Sequence, residues 1–438
     1  MINYKKGLIL GATAAILTTV AVTGSGMHLS RSLAYLEDNP KRLVDEVWHI
    51  INDTYIDDTF NQVDWLAVRQ NYVVGDSQSY ETKEKAYTAI REMLEQLGDP
   101  YTRFMDPEEF KNMQIDTSGE LTGVGIQITK DEETKELTVV APIEDTPAFK
   151  AGILSRDVIT KINGKITKGM EVEDAVQLIR GKPGSKVILT IRRTNQEFSY
   201  PIVRARIELH PVKSRIQNTS SGKVGYIRLV QFSAHAGKEM RDSIRKAETA
   251  KVKGYILDLR SNPGGLLYAS VEIARMWLDK GKIVSTVSRS GEVEAQKATN
   301  RALTNKPLVI LIDGGSASAS EILSGALQDN NRATLVGTKT FGKGLVQSVR
   351  RLGDGSSGLA VTIAKYLTPS GRDINKQGIE PDILIELTDK ERKDLQQSRE
   401  KIGYLGDPQF DKALEILNEE ISHFSKVNIE SKALIIGN

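Results

Sequence analysis

Three places in this chain combine residue types and spacings that can do chemistry. The first is GGSASASEIL, Gly314–Leu323, where an apolar run ends at Asp313, two glycines turn the chain and a helix begins. Ser318 stands at the mouth of that helix. Ser318 with Glu321 reads as a capping box, a structural device. A serine on a strand-to-helix turn is also well presented as a nucleophile, and the next N–H, of Ala319, can face a developing oxyanion. The second place is GTKTFGKG, Gly337–Gly344, which matches a phosphate loop up to Lys343 and then puts Gly344 where magnesium needs Ser or Thr. LVQSVRRL follows and alternates like a strand, whereas a phosphate loop opens a helix. The third place is DLRSNPGGLL, Asp258–Leu267, where Gly264 and Gly265 allow the close backbone approach that an oxyanion donor or a substrate strand requires. A tight turn with no ligand is the plainer alternative there.

A serine nucleophile needs a base. The chain has 438 residues, no cysteine and five histidines, namely His28, His49, His210, His235 and His423. The histidines are scattered and form no metal-binding spacing. The missing cysteines remove thiol nucleophiles, disulfides, iron–sulfur clusters and cysteine-held zinc. No metal or other cofactor is called for. A lysine can serve as base when burial lowers its pKa. Lys343, enclosed by Phe341, Gly342, Gly344, Leu345 and Val346, has the most apolar surroundings, although a solvated turn lysine fits the same residues. Two S-x-x-K matches, Ser220–Lys223 and Ser398–Lys401, lie in a polar turn and a charged helix.

The elements that must position these residues follow from periodicity. Leu43, Val44, Val47, Trp48 and Ile51, then Tyr87, Ile90, Leu94 and Leu97, recur at helical spacing. LGDPYTRFMDPEEF, Leu97–Phe110, breaks the pattern at two Asp-Pro pairs and reads as a domain boundary. Short β-rich runs and the helix-like EVEDAVQLIR come next. From Val224 strands and helices alternate, which implies α/β layering with right-handed crossovers. The tail from Asp389 is charged and helical. The expected fold is multidomain α/β, with an N-terminal helical domain at 35–104, a β-rich module at 105–205, an α/β core at 206–388 and a helical tail at 389–438.

Residues 1–34 carry Lys5 and Lys6 before an uncharged run from Gly7 to Gly26, the layout of a secretory signal, with an uncleaved membrane anchor as the alternative. Export is expected. With 59 basic and 57 acidic residues the net charge is +2, which gives no reason to expect nucleic acid as partner.

Together S-A-S-A-S-E-I, F-G-K-G-x-x-Q and YLTPSGRDINKQGIEPD (Tyr366–Asp382) resemble the carboxyl-terminal processing proteases, also called tail-specific proteases. The resemblance runs from NPKRLVDEVW (Asn39–Trp48) to DPQFDKALEIL (Asp407–Leu417), with Asp313 where the family often has Asn. It implies Ser318 as nucleophile, Lys343 as general base, Gln347 holding the lysine amine, and Ala319 with Gly264 or Gly265 as oxyanion donors. It also implies that the β-rich module is a PDZ domain. Gly123, Val124, Gly125 and Ile126 would then receive a substrate carboxylate, and Arg180 would couple ligand binding to the protease core. The partners implied are proteins with accessible C-termini. The N-terminal helical segment resembles branches in photosynthetic organisms, where trimming a photosystem reaction-centre precursor is one known task, so periplasm and thylakoid lumen are the expected locations. Two rivals make different predictions. A PDZ scaffold with a dead core binds C-termini without labelling by serine probes, and a nucleotide hydrolase binds ATP through Lys343.

Overall fold

The computed structural model describes residues 39–74, 80–131, 134–143, 145–194, 196–398 and 401–436. The expected signal or anchor at 1–34 lies outside the described residues. Among the described residues no helix is long and apolar enough to cross a membrane.

The chain forms two compact units, one of the described residues up to Thr117 with those from Pro211 onward, the other Ser118–His210. The first is built on a six-stranded sheet ordered Val212–Thr219, Gly222–Leu229, Gly254–Asp258, Leu308–Ile312, Thr334–Gly337 and Ile383–Leu384. The first pair is antiparallel and the rest are parallel. Gly254–Asp258 and Leu308–Ile312 are buried at every position, which is why they read as continuous apolar runs rather than alternating ones. Leu257, Leu308, Ile310 and Ile312 pack toward the helices Ala236–Thr249, Leu267–Trp277 and Ala319–Asp329. Ile256, Val309, Leu311 and Val336 pack instead with Phe410, Ala413, Leu417 and Ile421 of the helix Pro408–Ile436. The C-terminal helix therefore supplies one of the two coats of the sheet.

A second, antiparallel sheet holds Arg103–Met105, Gly358–Leu367, Lys282–Ser288 and Val293–Lys297, with Leu345–Arg351 also paired to Gly358–Leu367. Leu352, Leu359 and Val361 share a core with Leu43, Val47, Trp48 and Ile51 of the first helix, Pro40–Thr54, and with Ile90, Met93 and Leu94 of the helix Lys83–Glu95. The N-terminal helices thus belong to the same unit as the strand–helix core. The segment expected as a boundary also differs. After the Asp99–Pro100 turn, Arg103–Met105 pairs antiparallel with Gly358–Ala360. Asp-Pro punctuation marks a turn, and this turn feeds a strand rather than a linker.

The second unit is β-rich, with strands Ile126–Lys130, Leu137–Pro142, Val158–Ile162, Lys186–Arg193 and Gln196–Val203 in that order across a sheet, the short helix Pro147–Lys150, the helix Val172–Ile179, and a separate pair Glu120–Gly123 with Ala205–Glu208. Val139, Ile159, Ile162, Ala175, Ile179, Leu189 and Ile191 form its core.

Candidate active site

The parallel sheet delivers two turns side by side. Leu308–Ile312 ends at Asp313, whose carboxylate accepts from Ser261 N (2.7 Å) and Gly315 N (2.9 Å). Ser316 Oγ donates to Leu259 O at 2.9 Å, Ala317 N to Asn262 O at 3.0 Å and Ser320 Oγ to Asn262 O at 2.9 Å. These bonds stitch the SASAS turn to the turn after Gly254–Asp258. Gly264, at φ +103°, shows how close they come. A Cβ there would stand 2.9 Å from both Ser318 Cβ and Ala319 N, so only glycine fits. The Gly264 N–H donates to Asn262 Oδ1 at 2.9 Å, so its hydrogen bond is already committed beside Ser318. Ala319 is the first residue of its helix, so its N–H has no carbonyl one turn back to receive it.

Ser318 sits at φ 55° and ψ −112°, outside the regions ordinary residues occupy. Such a conformation costs about 1–3 kcal/mol and persists only where its surroundings over-determine it. Glu321 and Tyr366 do so here. Glu321 Oε2 accepts from Ser318 N (2.8 Å) and Lys343 N (2.9 Å). Its Oε1 accepts from Gly342 N (2.7 Å) and Thr340 Oγ1 (2.6 Å). Tyr366 OH donates to Lys343 O and lies 3.2 Å from Ser318 O. The same two side chains therefore hold the backbones of Ser318 and Lys343, although 25 residues separate them in sequence. Burial raises the Glu321 carboxyl, against four hydrogen bonds that favour the anion.

Ser318, Glu321, Lys343 and Gln347 are all fully buried, so the solvated-turn alternative for Lys343 does not hold. Burial lowers the Lys343 ammonium to about 7. The Arg103 guanidinium pushes the same way, while Asp99 and Glu321 oppose it. Lys343 Nζ lies over the Tyr101 ring at 4.8 Å from its centroid. GTKTFGKG runs into the strand Leu345–Arg351, and no helix follows to receive a phosphate. Gly344 packs against the backbone of Asn375, so the glycines there serve close approach.

Gln347 was beyond the reach of spacing alone. It faces Thr362 because the ladder shifts register between Val346 and Gln347, leaving Ile363 as an extra residue on the longer strand. Bulges of this kind re-aim side chains beside active sites. No sequence pattern points to Tyr366, Asp99, Tyr101 and Arg103 as neighbours of the lysine, or to Thr340 as a partner of Glu321. In the sequence Glu321 reads only as a cap, because its bonds to 340–343 arise from tertiary folding. Among the described residues no cluster of His, Asp or Glu is arranged to hold a metal.

In the second unit, Ile126–Lys130 lies at one edge of its sheet and, among the described residues, pairs with Leu137–Pro142 alone. An edge strand offers unpaired backbone groups to an incoming peptide. The turn before it holds Gly125 at φ +82°, where a Cβ would stand 2.3 Å from Thr146 Cβ. Gly125 O accepts from Ile143 N (2.9 Å) and Val124 O from Ala148 N (2.8 Å), which fixes the loop Gly123–Ile126. Arg180 caps the helix Val172–Ile179 and its Cγ lies 4.0 Å from where a Gly123 Cβ would be.

Comparison with known proteins gives this arrangement a class. Residues 223–385 match the model of Peptidase family S41 and residues 138–193 that of a PDZ domain. Fold and site together define a serine-type peptidase with a PDZ domain. The carboxyl-terminal-processing protease of Picosynechococcus sp. is 42% identical over 423 residues, covering 95% of this chain and 97% of that one. The Synechocystis sp. protein of the same name is 46% identical over 358 residues, covering 81% and 82%. A solved photosystem II D1 C-terminal processing protease is 34% identical with a TM-score of 0.54, covering 79% of this chain and 93% of that one. This chain belongs to the carboxyl-terminal-processing protease family.

Proposed function

We propose that the protein cleaves substrates near their C-termini through an acyl-enzyme on Ser318, with Lys343 as general base. The observation that carries this reading is the shared clamp. Glu321 bonds the backbone N–H of both residues, and Lys343 lies in a pocket that lowers its pKa to about 7. A neutral amine there takes the Ser318 hydroxyl proton as Oγ attacks the scissile carbonyl. The resulting oxyanion is met by Ala319 N–H with a donor from the Gly264–Gly265 turn. Collapse transfers the proton from Lys343 to the departing amine and leaves Ser318 acylated. Water, deprotonated by Lys343, then releases the shortened protein with a new carboxylate. Gln347 holds the amine in line.

The PDZ domain receives the substrate's last residues as an added strand along Ile126–Lys130, with the terminal carboxylate at Gly123–Ile126 and Arg180 beside that loop. The substrate class is a protein with an accessible C-terminal extension. The solved relative is named for photosystem II D1, which makes such a precursor one candidate substrate. The protein works outside the cytoplasm, in a periplasm or thylakoid lumen, after export directed by residues 1–34.

The test is trimming of a precursor with a C-terminal extension, read by product mass. Wild type shortens it, Ser318→Ala does not, and amidating the substrate's terminus weakens processing. Trimming by Ser318→Ala at the wild-type rate would overturn the reading. Activity also has a pH signature. Because the neutral amine is the active form, kcat/KM rises with pH through about 7. Arg103→Gln removes a charge that disfavours the ammonium, so the lysine pKa rises and the acid limb moves to higher pH. A limb that stays put or moves down contradicts this electrostatic account.

A further inference from the structure

The Gln347 amide has two chemically different ends, and its neighbours decide which faces where. Its Nε2 donates to Thr362 Oγ1 at 3.4 Å, while its Oε1 is buried and accepts no hydrogen bond. A threonine hydroxyl carries one proton. Thr362 Oγ1 gives that proton to Asp99 Oδ2 at 2.7 Å, so toward Gln347 it can only accept. An acceptor there selects the NH2 end of the amide and turns the carbonyl oxygen the other way. Thr102 reinforces the arrangement. Its Oγ1 donates to Asp99 Oδ2 at 2.7 Å and accepts from Thr362 N at 3.0 Å. Asp99 Oδ1 accepts from Tyr101 N at 2.9 Å. Each of these bonds uses an Asp99 oxygen as the acceptor.

We infer that Asp99 is a positioning residue, which takes the proton of Thr362 and so orients Gln347 with its carbonyl oxygen toward the amine of Lys343. The inference rests on the reading of Lys343 as base. It gives the 99–103 turn, two hundred and more residues upstream of the dyad, a catalytic purpose. That turn also brings Tyr101 under the Lys343 ammonium and Arg103 near it. The charged and titratable groups facing Lys343 are Asp99, Tyr101 and Arg103 from the turn, Glu321 from the helix, and Tyr366 from the long strand. Burial holds both tyrosines protonated, so neither carries charge. Asp99 and Glu321 favour the ammonium and Arg103 disfavours it.

Steady-state kinetics across pH on a peptide carrying a cleavable C-terminus test the inference. Thr362→Val keeps the shape and removes the acceptor. It should lower kcat by about 10-fold or more with KM within two-fold, the scale at which a supporting shell acts. Thr362→Ser restores the hydroxyl and should recover most of that loss. Asp99→Asn turns one end of the group into a donor, so it should lower the kcat plateau. It also removes a charge that favours the ammonium, so the acid limb should move to lower pH. Should Thr362→Val fail to fold, Asp99→Asn and Thr362→Ser still decide. Thr362→Val and Asp99→Asn both within two-fold of wild type, with the acid limb unmoved, would overturn the inference. Ser318→Ala and Lys343→Met run beside them separate the two ideas. If those remain active the dyad reading falls, whereas if they are inactive and the Thr362 and Asp99 variants are normal, only the relay falls.

Discussion

Lys343→Met leaves a folded protein that is more stable than wild type at pH 7 and cleaves its substrate at least about 10³-fold more slowly. The loss follows from removing the proposed general base, a contribution of order 10²–10⁴, compounded by the loss of the proposed acid that protonates the departing amine. The gain in stability follows from the same burial that makes the lysine reactive. Its pKa falls from 10.5 in the unfolded chain to about 7 in the folded one. Below the lower value the folded state must keep a buried charge, and between the two the unfolded state binds a proton that the folded state does not. The group therefore destabilises the fold, fully below about 7, and the penalty fades as pH climbs toward 10.5. At 1.36 kcal/mol per unit, this amounts to about 4 kcal/mol at pH 7. Methionine fills the same space without charge and avoids it. Urea unfolding at pH 7 and 10 checks the sign, since wild type should gain on the variant at the higher pH. A variant less stable than wild type at pH 7 would contradict the burial argument.

Arg260→Leu is expected to have the largest effect on the fold itself. All five guanidinium N–H donors are used. Nε and one terminal nitrogen donate to Asp258 at 3.0 and 2.7 Å. The terminal nitrogens also donate to Asp407 at 3.0 and 2.8 Å and to Gln409 Oε1 at 3.0 Å. Arg260 is 5% exposed and both aspartates are 0% exposed. Burial raises the Asp258 carboxyl, but Arg260 outweighs it and holds the group below its usual range. Leucine would leave two buried carboxylates without their cation, a loss of roughly 3–5 kcal/mol. The damage is not confined to stability. Arg260 joins the turn that carries Asn262 and Gly264 to the start of the helix Pro408–Ile436, so the proposed oxyanion side of the site loosens with it. Chemical denaturation measures the first effect and kcat of the folded fraction the second. A variant within about 1 kcal/mol of wild type would show that the network is dispensable. The Asp258 contribution has its own pH dependence. It is present above the unfolded pKa near 3.8 and is lost as pH falls through the lowered folded value.

How much of this was legible in the sequence depends on how local each signal is. The SASASE turn reads directly, because strand, glycines, cap and helix lie within a dozen residues. Lys343 follows from the shortage of other bases and its apolar neighbours. Gln347 does not follow, because its direction is set by a register shift opposite Ile363, and no period-2 pattern reveals a bulge. Asp99 and Thr362 are 263 residues apart, and nothing at either position announces the other. Arg260 and Asp407 are likewise 147 apart. The Asp-Pro turn at 99–100 illustrates the opposite error. Its local chemistry is that of a turn, and only the pairing of Arg103–Met105 with Gly358–Ala360 shows that the chain re-enters the core there.

The central claim is that Ser318 becomes acylated with Lys343 as its base. Reacting the purified protein with a serine-directed covalent probe, followed by mass mapping across pH, addresses it directly. The account predicts a single adduct on Ser318, absent from Ser318→Ala. Its rate rises with pH through about 7 in wild type and loses that dependence in Lys343→Met. An adduct on another residue accompanied by loss of activity, or a labelling rate in Lys343→Met equal to wild type, would contradict it.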